Sequence, residues 1–163
     1  MTPTLSNPRD LYLALLAEAL WIERTLAHDV LPALEREADS EWLAQAFAAH
    51  LEGTRTHAGR VEQAFLAAGA EPASAASAAL EGLRRGHDER VSSLNHPRLE
   101  DLFLVDAAAR TEHLELALYA SLVALAPQLG VDPSPLEANR DEERHALDEL
   151  ERVRGRLLSA LAG

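Results

Sequence analysis

Four acidic and histidine residues recur at helical spacing among apolar residues, where a packed helix points its side chains inward. At about 100° per residue, Glu23 lies on the apolar face of one helix and His57 on that of the next. Glu112 and Glu115 lie one turn apart and share the apolar face of a later helix. Buried carboxylates repel one another and are costly to ionise, so several converging acids favour a bound cation.

The last helix offers two competing acids. The helical wheel places Glu143 on the apolar face, Glu142 about 100° away and His145 almost half a turn away. Against the wheel, the Glu142-x-x-His145 spacing puts two ligand types one turn apart, and it recurs in bundles that bind two metal ions. The same spacing separates Thr54 and His57. We therefore favour Glu142 and His145 as ligands and keep Glu143 as the alternative.

These side chains are predicted to hold metal. The chain has no cysteine, which leaves carboxylate oxygens and imidazole nitrogens as ligands, a donor set that suits iron or manganese. We expect one or two ions. A single buried acid could instead be neutralised by a nearby Arg, as Arg140 could do for Glu143, and His50 is expected to support a ligand rather than to bind metal. The predicted ligands are Glu23, His57, Glu112, Glu115, Glu142 and His145.

Long amphipathic helices must position these ligands. Apolar residues at a spacing of about 3.6 predict an all-α fold, and Pro32 is expected to kink the first helix or to end it locally. A short helix over about 77–94 lies in a crossover segment. The pattern predicts a ferritin-like four-helix bundle of two antiparallel helical hairpins, with long helices over 11–38, 42–68, 99–129 and 136–161.

Length and charge restrict the partners. The length of 163 residues fits a single domain over residues 1–163. The chain has 27 acidic and 15 basic residues, and the resulting net charge of −12 repels nucleic acid and anionic membranes. No apolar run approaches the 18 or so residues that span a bilayer, and residues 1–9 lack the basic and apolar parts of a signal peptide. A cytoplasmic location is expected.

Several local motifs resemble one known family. They are Trp21-Ile-Glu-Arg with Leu31-Pro32, His50-Leu-Glu-Gly-Thr54 with His57, Leu66-Ala-Ala-Gly69, and Glu112-His-Leu-Glu115 followed by Tyr119. With these motifs nearly the whole chain resembles the YciE/YciF-type branch of the ferritin-like superfamily. The resemblance implies a bundle that is often dimeric and associated with stress responses, with metal-site candidates at Glu23, Glu112 and the acids of Asp141-Glu-Glu143.

Two departures from the family pattern leave one and two ions both open. Thr54 occupies the Glu position of the Glu-x-x-His motif on the second helix, and Gly53 stands where relatives often have an acid. Conversely, His145 supplies a ligand type that many relatives lack.

The sequence supports two classes of function. The first is a non-haem protein that binds iron or manganese as a homodimer, with ferroxidase-like or peroxide-consuming activity in which Fe(II) is oxidised by O₂ or peroxide. The second is a metal-free bundle that serves as a dimerisation or interaction module or binds a small ligand.

Overall fold

The structure is a computed structural model that describes residues 4–162, and it contains no β-strand within that range. The elements, in chain order, are α1 (Pro8–Thr25), a π-helical turn (Leu26–Val30), α2 (Leu31–Glu37), α3 (Glu41–Ala67), α4 (Ala78–Val91), α5 (Pro97–Leu125), a 3₁₀ turn (Ala126–Leu129) and α6 (Ser134–Ala162). The all-α class and the four-helix bundle predicted from the sequence are confirmed.

Two antiparallel helical hairpins form the bundle. In the first, α1 and α2 pack against α3 across a short link, and in the second α5 packs against α6. The hairpins meet where α1 contacts α5 and where α3 contacts α6. The crossover between them contains α4, which packs on α5. Both hairpins present their apolar faces to one core, so a polar residue on such a face points at the other three long helices.

Local signals set the helix boundaries. The Asn7 side chain accepts a hydrogen bond from the backbone N–H of Asp10, and Pro8 occupies the first turn of α1, where its missing N–H costs nothing. Gly69 and Gly130 follow α3 and the 3₁₀ turn with φ of 69°, a left-handed conformation that glycine adopts without steric penalty.

The chain remains helical through Pro32. The π-helical turn Leu26–Val30 precedes α2, and the Leu31 N–H donates to the carbonyl of Leu26, five residues earlier. Since Pro32 cannot donate a hydrogen bond, the irregularity predicted for this segment takes the form of a widened turn. The helix does not end at the proline, because α2 continues to Glu37.

Asp101 of α5 ties the two hairpins together at one end of the bundle. Its carboxylate is buried and accepts hydrogen bonds from the backbone N–H groups of Asp39 (2.8 Å) and Ser40 (2.7 Å). These residues form the link between α2 and α3, so a side chain from the second hairpin satisfies backbone donors at the start of a helix in the first.

Within residues 4–162 no helix is both long and apolar enough to cross a membrane.

We expect Asp101→Ala to destabilise the protein by about 1–3 kcal/mol, because two backbone donors lose a charged acceptor in a buried position. Urea unfolding measures the change. The control is Asp106→Ala on the same helix, which removes a partly exposed ion pair with Arg110 and should cost about 0.3–0.5 kcal/mol. Equal losses in the two variants would show that the Asp101 contacts contribute nothing specific.

Candidate metal centre

Six acidic and histidine side chains from four helices converge in the middle of the bundle. The five other than His50 are at most 2% exposed, and the side chain of His50 is 10% exposed. Helical periodicity places them there: the one-turn pair on α5 and the seven-residue pair on α3 each lie along one face of their helix. The six are Glu23 of α1, His50 and His57 of α3, Glu112 and Glu115 of α5, and Glu143 of α6.

The first of two ligand groups joins α3, α5 and α6. His50 Nε2 lies 3.2 Å from Glu112 Oε1 and 3.6 Å from Glu143 Oε2. Ligand atoms of His50, Glu112, Glu115 and Glu143 all lie within 4.8 Å of one another, which is close enough for a single cation to contact several of them.

The second group joins α1, α3 and α6. His57 Nδ1 lies 2.6 Å from Glu143 Oε1 and 3.6 Å from Glu23 Oε2, and ligand atoms of these three residues also lie within 4.8 Å of one another. Glu143 belongs to both groups, since one of its oxygens faces His57 and the other faces His50. The arrangement therefore offers two adjacent cation positions that share one carboxylate.

Eight buried polar atoms at the centre have no hydrogen-bond partner among residues 4–162. Although His57 Nδ1 and Glu143 Oε1 are close, their directions do not make a hydrogen bond. Native proteins almost always pair buried polar atoms, so an unpartnered set that faces one point fits a bound cation. The atoms are Glu23 Oε2, His50 Nε2, His57 Nδ1, Glu112 Oε2, and both carboxylate oxygens of Glu115 and of Glu143.

The charge of the centre also fits metal. Four carboxylates converge there, and among residues 4–162 no Arg lies within ion-pairing distance of any of them. Arg140, the alternative counter-charge for Glu143, pairs with Asp141 at the surface. With both histidines neutral, four negative charges would balance two divalent cations.

Burial dominates the protonation of three carboxyls. It raises the pKa of Glu115 well above its usual range, and repulsion from Glu143 and Glu23 adds to the effect. Burial also raises the pKa of Glu23, and it raises that of Glu112 to about 8 despite the opposing His50 charge. Glu143 differs, because contact with His57 and the charge of His50 overcome its burial and lower its pKa.

The pKa values of the two histidines are also raised, but by their acidic neighbours and against the effect of burial. Burial opposes their charged forms, but attraction to Glu112 raises the pKa of His50 to about 9. Contacts with Glu143 and Glu23 outweigh burial and raise the pKa of His57 to about 11. Without metal, the centre thus stores protons on its histidines and on some of its carboxyls, and a cation that uses these atoms must displace them.

Glu142 contacts the far side of the His57 ring. Its Oε2 lies 2.8 Å from His57 Nε2, and Arg60 Nη1 donates to its Oε1 at 2.9 Å. The Arg60 hydrogen bond is the largest cause of the lowered pKa of Glu142, whose side chain is 46% exposed. An ionised Glu142 accepts a hydrogen bond from the Nε2–H of His57, so that Nδ1 is the nitrogen whose lone pair can face the centre once a cation has displaced its proton.

A network of hydrogen bonds restrains Glu23 on the side that faces away from the centre. The buried Tyr119 hydroxyl donates to Glu23 Oε1, so Oε2 is the oxygen left to face the centre. Asn139 Nδ2 donates to Tyr119 Oη at 3.0 Å and to the His57 carbonyl at 3.2 Å, and Arg60 donates to Asn139 Oδ1 at 3.0 Å. Residues from α3, α5 and α6 thus restrain the ligands.

The structure brings together four of the six residues predicted as ligands: Glu23, His57, Glu112 and Glu115. Glu142 lies outside both groups and contacts the far nitrogen of His57 and Arg60, while His145 is exposed and belongs to neither group. In place of these two residues the centre contains Glu143 and His50.

Signals for Glu143 and His50 were present in the sequence. The helical wheel of α6 already favoured Glu143, and the Glu-x-x-His motif outweighed it in our prediction. His50 lies seven residues, or about two turns, before His57 and therefore shares its face. Thr54, between them, donates its hydroxyl to the His50 carbonyl at 3.0 Å and supplies no ligand atom to either group.

Comparison with known proteins identifies close relatives in sequence. The family model described as "Domain of unknown function (DUF892)" matches residues 7–161. Protein YciF of Escherichia coli (strain K12) is 34% identical over 122 residues, which cover 74% of this chain and 73% of that protein. The resemblance to the YciE/YciF-type branch inferred from the sequence is confirmed.

Solved structures share the fold. The E. coli stress protein YciF superposes with a TM-score of 0.89 at 28% identity, over 95% of this chain and 99% of that chain. YcfI from Rhodopseudomonas palustris superposes with a TM-score of 0.87 at 29% identity, over 93% and 97% of the two chains. A Xanthomonas campestris protein, at 18% identity and a TM-score of 0.75 over 94% and 95% of the chains, shows the similarity of fold alone.

We expect the metal-free protein to lose stability as the pH rises from about 5 to 9. The folded-state pKa of Glu112, about 8, exceeds its usual value of 4.5, and that of His50, about 9, exceeds 6.5. A raised pKa contributes stability that is complete below the unfolded value and is lost as the pH rises through the folded value. Glu115→Gln, which replaces a buried acid by a neutral side chain of the same shape, should flatten this dependence.

Urea unfolding of chelator-treated protein across this pH range measures the effect. The matched control is Glu137→Gln, a partly exposed acid in the first turn of α6 that belongs to neither ligand group. The burial argument fails if the stability of the Glu115→Gln protein depends on pH as steeply as that of the control.

Proposed function

This chain belongs to the DUF892 family, and we propose that it is a non-haem protein that binds one or two iron or manganese ions between its helices. The observation that carries the proposal is the set of eight buried oxygen and nitrogen atoms that face one another without hydrogen-bond partners. Desolvation of these carboxylates is costly, and a divalent cation is the partner that offsets the cost with opposite charge.

The ligands divide between two positions. Glu23 and His57 would hold one ion, His50, Glu112 and Glu115 would hold the other, and Glu143 would contact both. Carboxylate and imidazole donors without thiolate favour iron or manganese over metals that prefer sulfur. Such ions, when bound, supply redox chemistry, and we propose oxidation of Fe(II) by O₂ or peroxide in stress protection as the activity.

The surrounding residues orient these ligands. Glu142, held by Arg60, selects the His57 tautomer whose Nδ1 lone pair faces the centre. Tyr119 keeps one oxygen of Glu23 engaged, so that the other remains directed inward. The near-complete burial of the carboxylates leaves them little contact with water, which strengthens their interaction with a cation.

The competing function is a metal-free bundle that acts as a dimerisation or interaction module or binds a small ligand. Thr54 supports it, because a residue that supplies no ligand stands where the wider family pattern has Glu. Under either function we keep the proposals of a homodimer, of one domain over residues 1–163 and of a cytoplasmic location, with no nucleic-acid partner.

Protein produced with iron or manganese available and purified without chelator should contain at least substoichiometric metal by elemental analysis. Adding Fe(II) or Mn(II) to metal-free protein should raise its melting temperature, because an ion that binds only the folded state stabilises it. Preparations that stay free of metal and melt at the same temperature with either ion would leave the metal-free module as the better account.

Three single variants test which residues of α6 bind the ions. We expect Glu143→Gln to lower metal affinity on the order of 100-fold, because it removes the carboxylate common to both groups. Glu142→Gln, the matched change one residue away, should cost about 10-fold by loosening His57. His145→Ala should bind metal as the wild type does, since its side chain lies at the surface.

Competitive titration with a colorimetric chelator measures these affinities. Retained metal in the Glu143→Gln protein together with its loss in the His145→Ala protein would instead support the Glu142-x-x-His145 ligand pair.

A further inference from the structure

A groove between α3 and α6 leads from the surface to the metal centre. Its volume is about 730 Å³, and its walls are mostly apolar. The groove exists because small residues line it, namely Ala46 and Gly53 on α3 and Ala146 on α6. Its inner wall includes His50 and Glu112 of the centre. Pockets of roughly 300–1,000 Å³ with apolar walls and few polar groups are typical of small-molecule sites.

The two ends of the groove carry opposite charge. Asp141 and Glu142 line one end, and Arg156 lines the other, about 20 Å farther along α6 at 1.5 Å per residue. Glu149 lies between them and pairs with Arg152. An elongated ligand with one negative end is therefore attracted to the Arg156 end and repelled from the other.

Arg156 is arranged to bind an anion. Its guanidinium carbon lies 5.6 Å from the centre of the Trp42 ring, a cation–π contact that restrains the side chain. Within residues 4–162 no carboxylate lies within ion-pairing distance of it, although seven other ion pairs of this structure use Arg side chains. A ring contact engages the guanidinium face, so its N–H edges remain able to bind a carboxylate with two hydrogen bonds.

We infer that this groove is a binding site for a fatty acid, with the carboxylate on Arg156 and the alkyl chain extending between α3 and α6 towards His50. The apolar walls bury the chain, and the charge at the two ends sets its direction. The carboxylate end of this site lies apart from the metal centre, because neither Arg156 nor Trp42 belongs to either ligand group, and only the inner end of the groove borders the centre. The far end of the chain would lie against His50 and Glu112 and limit the access of water to the centre.

The first experiment compares three ligands that share one alkyl chain: dodecanoate, dodecanol and dodecyltrimethylammonium, each below its micellar concentration. Binding is followed by the fluorescence of Trp42 in a Trp21→Phe protein, so that the signal comes from the mouth of the groove. We expect dodecanoate to bind at least about 10-fold more tightly than dodecanol, because only the carboxylate makes charge-assisted hydrogen bonds with Arg156. The cationic ligand should bind most weakly.

The second experiment uses variants of α6. Arg156→Gln should weaken dodecanoate about 10-fold and leave dodecanol unchanged, whereas the control Arg154→Gln, at a residue paired with Glu151 outside the groove, should change neither. Ala146→Phe should fill the groove and weaken both ligands. Circular dichroism and melting temperature show whether each variant is folded, and a second filling variant, Ala46→Phe, replaces any that is not.

Unchanged dodecanoate affinity in the Arg156→Gln protein, or equal binding of all three ligands, would overturn the inference. So would a wild-type dimer that Ala146→Phe dissociates without any dodecanoate binding, because the groove would then be an interface between copies. Metal titration of the same variants separates this result from the proposed function, since Arg156→Gln should bind iron or manganese as the wild type does.

Discussion

The structure depends on one constraint, which is the burial of four carboxylates around one point. Among residues 4–162, two histidines are their nearby positive partners. A buried carboxylate is costly to ionise, and several together are more costly because each charge opposes the next. In the metal-free chain the protons of Glu112, His50 and His57 offset part of this cost. Glu143 stays ionised between the two rings, and it therefore holds the two ligand groups together.

The bundle meets this constraint by distributing the ligands over rigid elements. Each of the four long helices contributes at least one of the six side chains of the centre, and all six therefore lie on helices. Surrounding polar residues then restrain the ligands: Tyr119 engages one oxygen of Glu23, and Glu142 engages the outer nitrogen of His57. Asp101 joins the two hairpins away from the centre by accepting backbone hydrogen bonds at the start of α3. Together these contacts hold like charges close to one another.

The groove between α3 and α6 is loosely packed, in contrast to the centre that it leads to. Because Ala46, Gly53 and Ala146 are small, the side chains of the two helices do not fill the space between them. A groove therefore runs from the surface to the buried centre. The groove is asymmetric in charge because Arg156 lies at one end and acids lie at the other. A bundle whose centre is closely restrained thus has one side open to molecules larger than an ion.

The sequence by itself determined the helices and most of the centre. Apolar spacing predicted all long helices to within a few residues, and it placed Glu23, His57, Glu112 and Glu115 inward, because a helix repeats every 3.6 residues whatever it packs against. Between Glu142 and Glu143 the sequence carries two conflicting signals, helical periodicity for Glu143 and motif spacing for Glu142, and the tertiary structure shows which acid lies in the centre. The position of α3 relative to α6 brings Glu143 to His50 and leaves Glu142 on the outer side of the His57 ring. The groove likewise depends on the distance between two helices, which no local pattern specifies.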